Sequence, residues 1–303
     1  MDTRDDARIL MCRPDHFGVS YTINPWMDPA SWASAAPALA ANAKSQWRAL
    51  CRKLKSLGAR VELVPPVPGL PDLVFTANAA VVMDRIALLA RFRHPERQGE
   101  EAHFARAFHN LDALCIIDEV RTLPEGMRLE GAGDCVWDRT RQMFWMGYGP
   151  RSDREARAVV QDCFGIETVA LALADARFYH MDTALCPLSG GELLYVPQAF
   201  TAAGLAIIND RVASDCRIAI GAEDAERLAA NAVCLGRDIT MSRCTDTLRA
   251  RLEERGYRVH EIGLGAFARS GGSAFCLTLR LDHHFGVTAS RAAESVAPAL
   301  VFG

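Results

Sequence analysis

Lysine is nearly absent from this chain. It stands only at positions 44, 53 and 55, in or beside one helical stretch, although Lys and Arg together number 34 among 303 residues. None of the polar clusters described below therefore has a lysine for Schiff-base chemistry. Glycine-rich phosphate loops and the Gly-x-Ser-x-Gly nucleophile turn are also missing, which removes the usual nucleotide-binding and serine-hydrolase signatures. The ten cysteines, at 12, 51, 115, 135, 163, 186, 216, 234, 244 and 276, never fall at a Cys-x-x-Cys spacing and have no histidine at zinc-ligand offsets. Neither a metal nor a cofactor is expected. No apolar run approaches the roughly 20 residues of a membrane span. A net charge of -3 and a pI near 6.3 give no basic footprint for nucleic acid. The first eight residues are densely charged and carry no secretory signal, so scattered thiols predict a reducing, cytoplasmic setting.

What the chain has is a repeat. Hairpin patterns, each a pair of apolar runs split by turn chemistry, fall at 79–90, 134–147, 183–196 and, less clearly, 231–241. Helical patterns follow at 100–110, 153–163 and 245–255, then short apolar strands at 114–117, 166–171 and 257–262. In the third module 198–212 is mostly helical and its strand, 217–220, comes late. The two ends supply a fifth unit: strand-like 274–281 and 9–12, a helix over 41–57 and a strand at 60–64. A period near 50 residues, read as one supersecondary unit, suggests modules stacked radially, with a centre lined by equivalent positions of each. With 50% hydrophobic residues and no Pro, Gly or Ser-rich linker, 1–303 reads as one domain. Assembly into a homo-oligomer is left open.

The unusual polar residues gather at those equivalent positions. Asp72 and Asn78 precede the first hairpin, Glu130 and Asp134 the second, His180 and Asp182 the third, Asn231 the fourth, and Cys276 lies in the terminal strand. Along 275–282 the apolar side chains fall on odd positions, so strand alternation puts Cys276 on a face with Thr278, Arg280 and Asp282. A core cysteine would keep phase with the leucines. His180 and Asp182, two apart, share a face of an extended strand, which makes a general acid/base plausible beside a thiol. Residues 130–134, Glu-Gly-Ala-Gly-Asp, read equally well as a turn with acidic flanks. Carboxylates alone would oppose thiolate formation. A cationic substrate resolves this, because a planar guanidinium is held by carboxylates in paired hydrogen bonds while its charge favours the thiolate.

The segments Met11-Cys12-Arg13-Pro14-Asp15-His16-Phe17, Ile23-Asn24-Pro25-Trp26-Met27, Pro71 to Asn78, Glu130 to Asp134, His180-Met181-Asp182-Thr183 and the glycine-rich approach to Cys276 resemble the guanidino-group-modifying enzymes: amidinotransferases, arginine deiminases and dimethylarginine dimethylaminohydrolases. The resemblance spans nearly the whole chain in the family's order. It implies an α/β fold of pentein type, a five-bladed α/β propeller with the site on its axis. It further implies Cys276 as nucleophile, His180 as acid and then base, and Glu130 and Asp182 as grips on the guanidinium. Asp72 joins that grip, Phe75 forms an apolar wall, and Arg91 and Arg151 bind the α-carboxylate. Asn24 belongs to one of the resembling segments.

Two departures bear on the reaction. Asn78 stands where deiminases carry an acid, and Ala132 stands where the acidic cluster has a glycine, which is harmless if its φ is negative. Asn78, with the Ile-Asn-Pro-Trp-Met segment, resembles the arginine dihydrolases, which remove both guanidino nitrogens and release ornithine. Dimethylarginine hydrolases often lack an aspartate at the position of Asp182. The expected order of readings is therefore hydrolysis of arginine, then of methylarginine, then amidino transfer to an amine. A non-catalytic binding protein of the same fold comes last, because the Cys, His and acid set is retained.

Overall fold

The computed structural model describes residues 7–286. In chain order its strands are β1 (Arg8–Cys12), β2 (Arg60–Val64), β3 (Ala80–Met83), β4 (Ile86–Leu89), β5 (Glu119–Arg121), β6 (Cys135–Asp138), β7 (Met143–Tyr148) and β8 (Thr168–Ala172). There follow β9 (Leu185–Pro187), β10 (Leu193–Tyr195), β11 (Arg217–Ala219), β12 (Val233–Leu235), β13 (Asp238–Met241), β14 (Arg258–Glu261) and β15 (Leu279–Arg280). They form five three-stranded sheets of one design, in which a middle strand has an antiparallel neighbour on one side and a parallel neighbour on the other. In four sheets the antiparallel pair is a hairpin. In the fifth it is the two ends, with Ile9 opposite Arg280 and Leu10 opposite Leu279. Among the described residues the five sheets are not joined into one closed sheet.

Local chemistry explains the elements. Asp84 and Arg85 turn β3 into β4 with φ of 49° and 63°, the left-handed pair that suits a two-residue hairpin. A parallel third strand needs a crossover, and helices supply it at Ala36–Ser56, Glu100–Ala113, Ala156–Phe164, Ala202–Arg211 and Asp246–Glu253. The first buries Ala43, Trp47, Leu50, Cys51 and Leu54 at helical spacing. Thr201 and Thr245 start two others, each side chain accepting a backbone N–H three residues on. The core lies between these helices and the sheets, where Phe104, Phe108, Trp145, Phe178 and Phe267 are fully buried.

Three expectations are corrected. The apolar stretch 114–117 is not a strand: Cys115, in the left-handed region at φ 55°, ends the helix, Ile117 is buried, and the strand is Glu119–Arg121. Of 274–281 only Leu279–Arg280 is strand, and Cys276 lies in the turn before it, closed by Leu277 N–H to the Ser273 carbonyl and Thr278 N–H to that of Phe275. His180 and Asp182 are not in a strand either. His180 is the residue before the short helix Met181–Ala184, and Asp182 is in its first turn.

Candidate active site

Each sheet is entered through a turn, and the polar residues stand in those turns. Asn78 ends one before β3, Glu130 to Asp134 wrap another before β6, His180 and Asp182 start the helix before β9, Asn231 precedes β12 and Cys276 precedes β15. Hydrogen bonds link the five turns in a circuit. Asn78 Nδ2 donates to the Glu130 carbonyl at 3.0 Å, and Met181 N–H donates to Asp134 Oδ1 at 3.2 Å. Asn231 Nδ2 donates to the Asp182 carbonyl at 3.1 Å, Phe275 N–H to the Asn231 carbonyl at 3.3 Å, and Ala77 N–H to the Cys276 carbonyl at 3.2 Å.

Inside that circuit the groups are sealed from solvent: Cys276 is 2% exposed, His180 1% and Glu130 0%. The Cys276 thiol donates to Asp182 Oδ2 at 3.0 Å. Burial, then the Asp182 charge, pushes this thiol well above its usual pKa, so the resting sulfur is protonated. Burial also raises Asp182, to about 7, against the downward pull of its hydrogen bond from the Cys276 thiol. His180 Nε2 meets Glu130 Oε2 at 2.9 Å, and Arg151 Nη1 donates to the same oxygen at 2.9 Å. Burial alone would raise Glu130, yet the Arg151 charge and the His180 contact hold it well below the carboxylate range. His180 is depressed to about 4, chiefly by burial, and is neutral at neutral pH. A neutral ring that gives its Nε2 proton to Glu130 keeps Nδ1 as an acceptor.

Tyr179 links the two halves. Its ring lies 4.6 Å from that of His180 and 4.5 Å from the Arg151 guanidinium, and its hydroxyl donates to the carbonyls of Ser270 and Gly271. Asp72 accepts from the Tyr21 hydroxyl at 2.9 Å and the Ser270 hydroxyl at 3.2 Å, and Asn24 braces the same region by donating to the Ser270 carbonyl. Phe75 stacks edge-on against Phe17 and Phe267.

The structure thus brings together Cys276, His180, Glu130, Asp182, Asp72, Phe75, Asn24 and Arg151. Asn78 is adjacent but occupied, since its Oδ1 accepts from Arg97 Nη1 at 3.0 Å while its Nδ2 holds Glu130. Arg91 is not brought in: its guanidinium donates to the carbonyls of Leu123 and Pro124. Its near neighbour Arg93 reaches the site through its backbone, N–H to Glu130 Oε1 at 3.1 Å. Sequence reasoning passed over Arg97, whose guanidinium is buried in a forked pair with Glu100 at 2.9 and 2.8 Å. No motif marks it among so many arginines. Tyr21 and Tyr179 carry no signal either, whereas the position of Asn231 ahead of the fourth hairpin is one.

Two glycines make this packing possible. Gly131 has φ 64°, and a Cβ there would lie 2.7 Å from backbone atoms of Ala77 and Asn78. A Cβ on Gly133 would lie 2.2 Å from Asn78 Nδ2 and 3.6 Å from His180 Nδ1. Ala132 is not among the positive-φ residues, so alanine there is unstrained. Gly133→Ala is expected to destabilise the protein by about 1–3 kcal/mol through overpacking and to slow turnover more than the denaturation midpoint alone implies. Turnover unchanged in a folded Gly133→Ala protein would contradict this packing.

A buried thiol on one acid and a buried histidine on another, inside a circuit of five repeated turns, define a protein of the guanidino-group-modifying class. Residues 13–282 match the family described as N,N dimethylarginine dimethylhydrolase, eukaryotic, and the chain belongs to that family. It is 43% identical over 277 residues to the bifunctional arginine dihydrolase/ornithine cyclodeaminase ArgZ of Synechocystis sp., covering 91% of this chain and 38% of that protein. To the N(G),N(G)-dimethylarginine dimethylaminohydrolase of Mycobacterium tuberculosis it is 34% identical, covering 90% of this chain and 85% of the other. Among solved structures it is similar to the N-terminal domain of ArgZ, a cyanobacterial arginine dihydrolase, in a Cys→Ser variant bound to substrate: TM-score 0.86, 41% identity, 92% of this chain and 99% of that one. The chain spans well under half the length of the bifunctional relatives that it matches. Among the described residues no helix is long and apolar enough to cross a membrane.

Proposed function

We propose that this chain hydrolyses the guanidinium C–N bonds of arginine through a covalent thiouronium on Cys276, and that its five sheets are the blades of one five-bladed propeller around that site. The circuit of hydrogen bonds through the five entry turns supports the propeller. The observation that carries the chemistry is a pair of buried acceptors, His180 Nδ1 and Asp182 Oδ1, that have no hydrogen-bond partner among the described residues. Leaving buried acceptors unpaired costs about 1–3 kcal/mol each. A guanidinium, which offers only N–H donors in one plane, satisfies both.

The steps follow from the groups present. The bound cation offsets the negative surroundings of the sulfur, so Cys276 passes its proton to Nδ1 of neutral His180 and attacks the guanidinium carbon. His180 delivers that proton to the departing nitrogen, with Glu130 stabilising the imidazolium in between, and ammonia leaves. Water activated by His180 then attacks the thiouronium and frees the sulfur. Asp182, Glu130 and Asp72 hold the planar cation, Phe75 bounds it, and Arg151 offers charge to a carboxylate at the far end. The acceptor is water; a second attack by Cys276, on the ureido carbon of the citrulline so formed, releases the second ammonia, and after hydrolysis the remaining carbamate loses CO2 to leave ornithine. The similarity to the arginine dihydrolase favours unmethylated arginine. The family model and the mycobacterial relative favour dimethylarginine as the second reading.

Purified protein incubated with arginine, with dimethylarginine and with arginine plus glycine, followed by mass analysis of products, tests all of this. Ornithine with ammonia marks a dihydrolase, citrulline a deiminase, dimethylamine a dimethylargininase and guanidinoacetate a transferase. No product from any mixture contradicts the proposal.

A pH dependence follows as well. Asp182 titrates near 7 in the free protein and grips a cation only as carboxylate, so kcat/KM is expected to fall about tenfold per pH unit below that point. In the complex the cation lowers Asp182, which moves the acid limb of kcat to lower pH. A kcat/KM profile that stays flat down to pH 5 would contradict the role of Asp182.

A further inference from the structure

The thiol has a second polar neighbour besides Asp182. Asn231 is fully buried, and its Nδ2 donates to Cys276 Sγ at 3.1 Å. Its Oδ1 accepts from the backbone N–H of Ser273 at 3.0 Å and from that of Cys276 at 3.1 Å. One side chain thus grips the nucleophile's turn by two backbone amides and presents a donor to its sulfur. The same Nδ2 donates to the Asp182 carbonyl at 3.1 Å, so both hydrogens of the amide are used and its orientation is fixed from both ends. Reversing the amide would set its carbonyl oxygen against the sulfur and its NH2 against two N–H groups, losing all four contacts.

We infer that Asn231 is a catalytic residue whose side-chain amide stabilises the Cys276 thiolate and aims it. This rests on the assignment of Cys276 as nucleophile. The physical need is plain, because a sulfur in a sealed site beside a carboxylate has little else to favour its charged form before the cation arrives. A donor to sulfur strengthens as charge develops there and costs no reorganisation, being held already by the turn and by Asp182. Burial and then the Asp182 carboxylate oppose the thiolate, while the backbone of Ser273 and the amide of Asn231 favour it.

The test reads the sulfur directly, apart from arginine turnover. Asn231→Asp keeps an oxygen for the two backbone amides and removes the donor to sulfur. The rate at which iodoacetamide modifies Cys276, followed by peptide mass from pH 6 to 10, is expected to fall at least about tenfold at pH 8, with its midpoint moved to higher pH. Because an aspartate also adds charge, Asn231→Ala is measured beside it and is expected to shift the same way by less. In steady state with arginine, kcat falls about 10²-fold while KM changes little. An alkylation profile in both variants that overlays the wild type overturns the assignment. So does failure of both variants to fold, which would make Asn231 a structural residue only. If wild type turns over no arginine yet the alkylation shift is seen, the functional proposal fails and the role of Asn231 toward the thiol stands.

Discussion

Cys276→Ala is expected to lower ammonia release from arginine by at least about 10⁵-fold, the scale on which loss of a nucleophile that works as part of a unit is felt. The alanine variant keeps Asp72, Glu130, Asp182 and Arg151, the groups proposed to hold arginine, so binding is expected to persist and calorimetry should detect it. The contrast is Cys115→Ala. Cys115 is exposed at the end of a helix and its loss should leave turnover unchanged. Most of the other cysteines lie in apolar surroundings, and burial pushes Cys135 and Cys186 far up, as befits small core side chains. Substantial turnover by Cys276→Ala would end the covalent mechanism.

Glu130→Gln should have the second largest effect, on stability as well as rate. Glu130 Oε2 takes hydrogen bonds from Arg151 and His180 at once, with all three side chains at most 2% exposed. Replacing it by a neutral amide leaves the Arg151 cation buried without its partner, which costs about 3–5 kcal/mol. The sign with pH can be worked out. Glu130 is held well below its ordinary value of 4.5, so it adds stability that is complete above 4.5 and is lost as pH falls toward its folded value. The gap in unfolding free energy between wild type and Glu130→Gln is therefore expected to be full at pH 7 and to narrow below pH 4.5. Urea titrations at pH 7 and pH 3 measure it, and a gap that widens on acidification would contradict the arrangement. His180 loses its orienting partner too, and turnover falls with it.

Much of this was legible in the chain because the modules repeat. Alternation and turn chemistry located four hairpins, and the pairing of the two ends appears as β1 against β15. What failed was inference about single residues from strand period. Strand alternation singles out Cys276 as out of phase with the leucines, yet it lies in a turn where phase has no meaning. The same alternation puts His180 and Asp182 on one strand face, yet a helix start positions them. The rule that held was the coarser one, that polar residues precede each hairpin, since the turn entering each sheet is where a side chain can leave the apolar pattern without opening the core. Arg97 and Tyr179 were illegible for a different reason. Their roles depend on which distant groups they meet, such as Glu100, Asn78 and Ser270, and no local pattern encodes that. The resemblance assigns Arg91 to the α-carboxylate, while the nearby arginine whose backbone meets Glu130 is Arg93.

The most direct test of the central claim is the mass of the protein itself. Mixed with arginine and quenched in acid within milliseconds, the protein should carry an added amidino-containing group on the peptide that includes Cys276, appearing and decaying at rates consistent with turnover. Turnover of arginine with no adduct on Cys276 at any time, or an adduct on another residue that forms at a competent rate, would contradict the account.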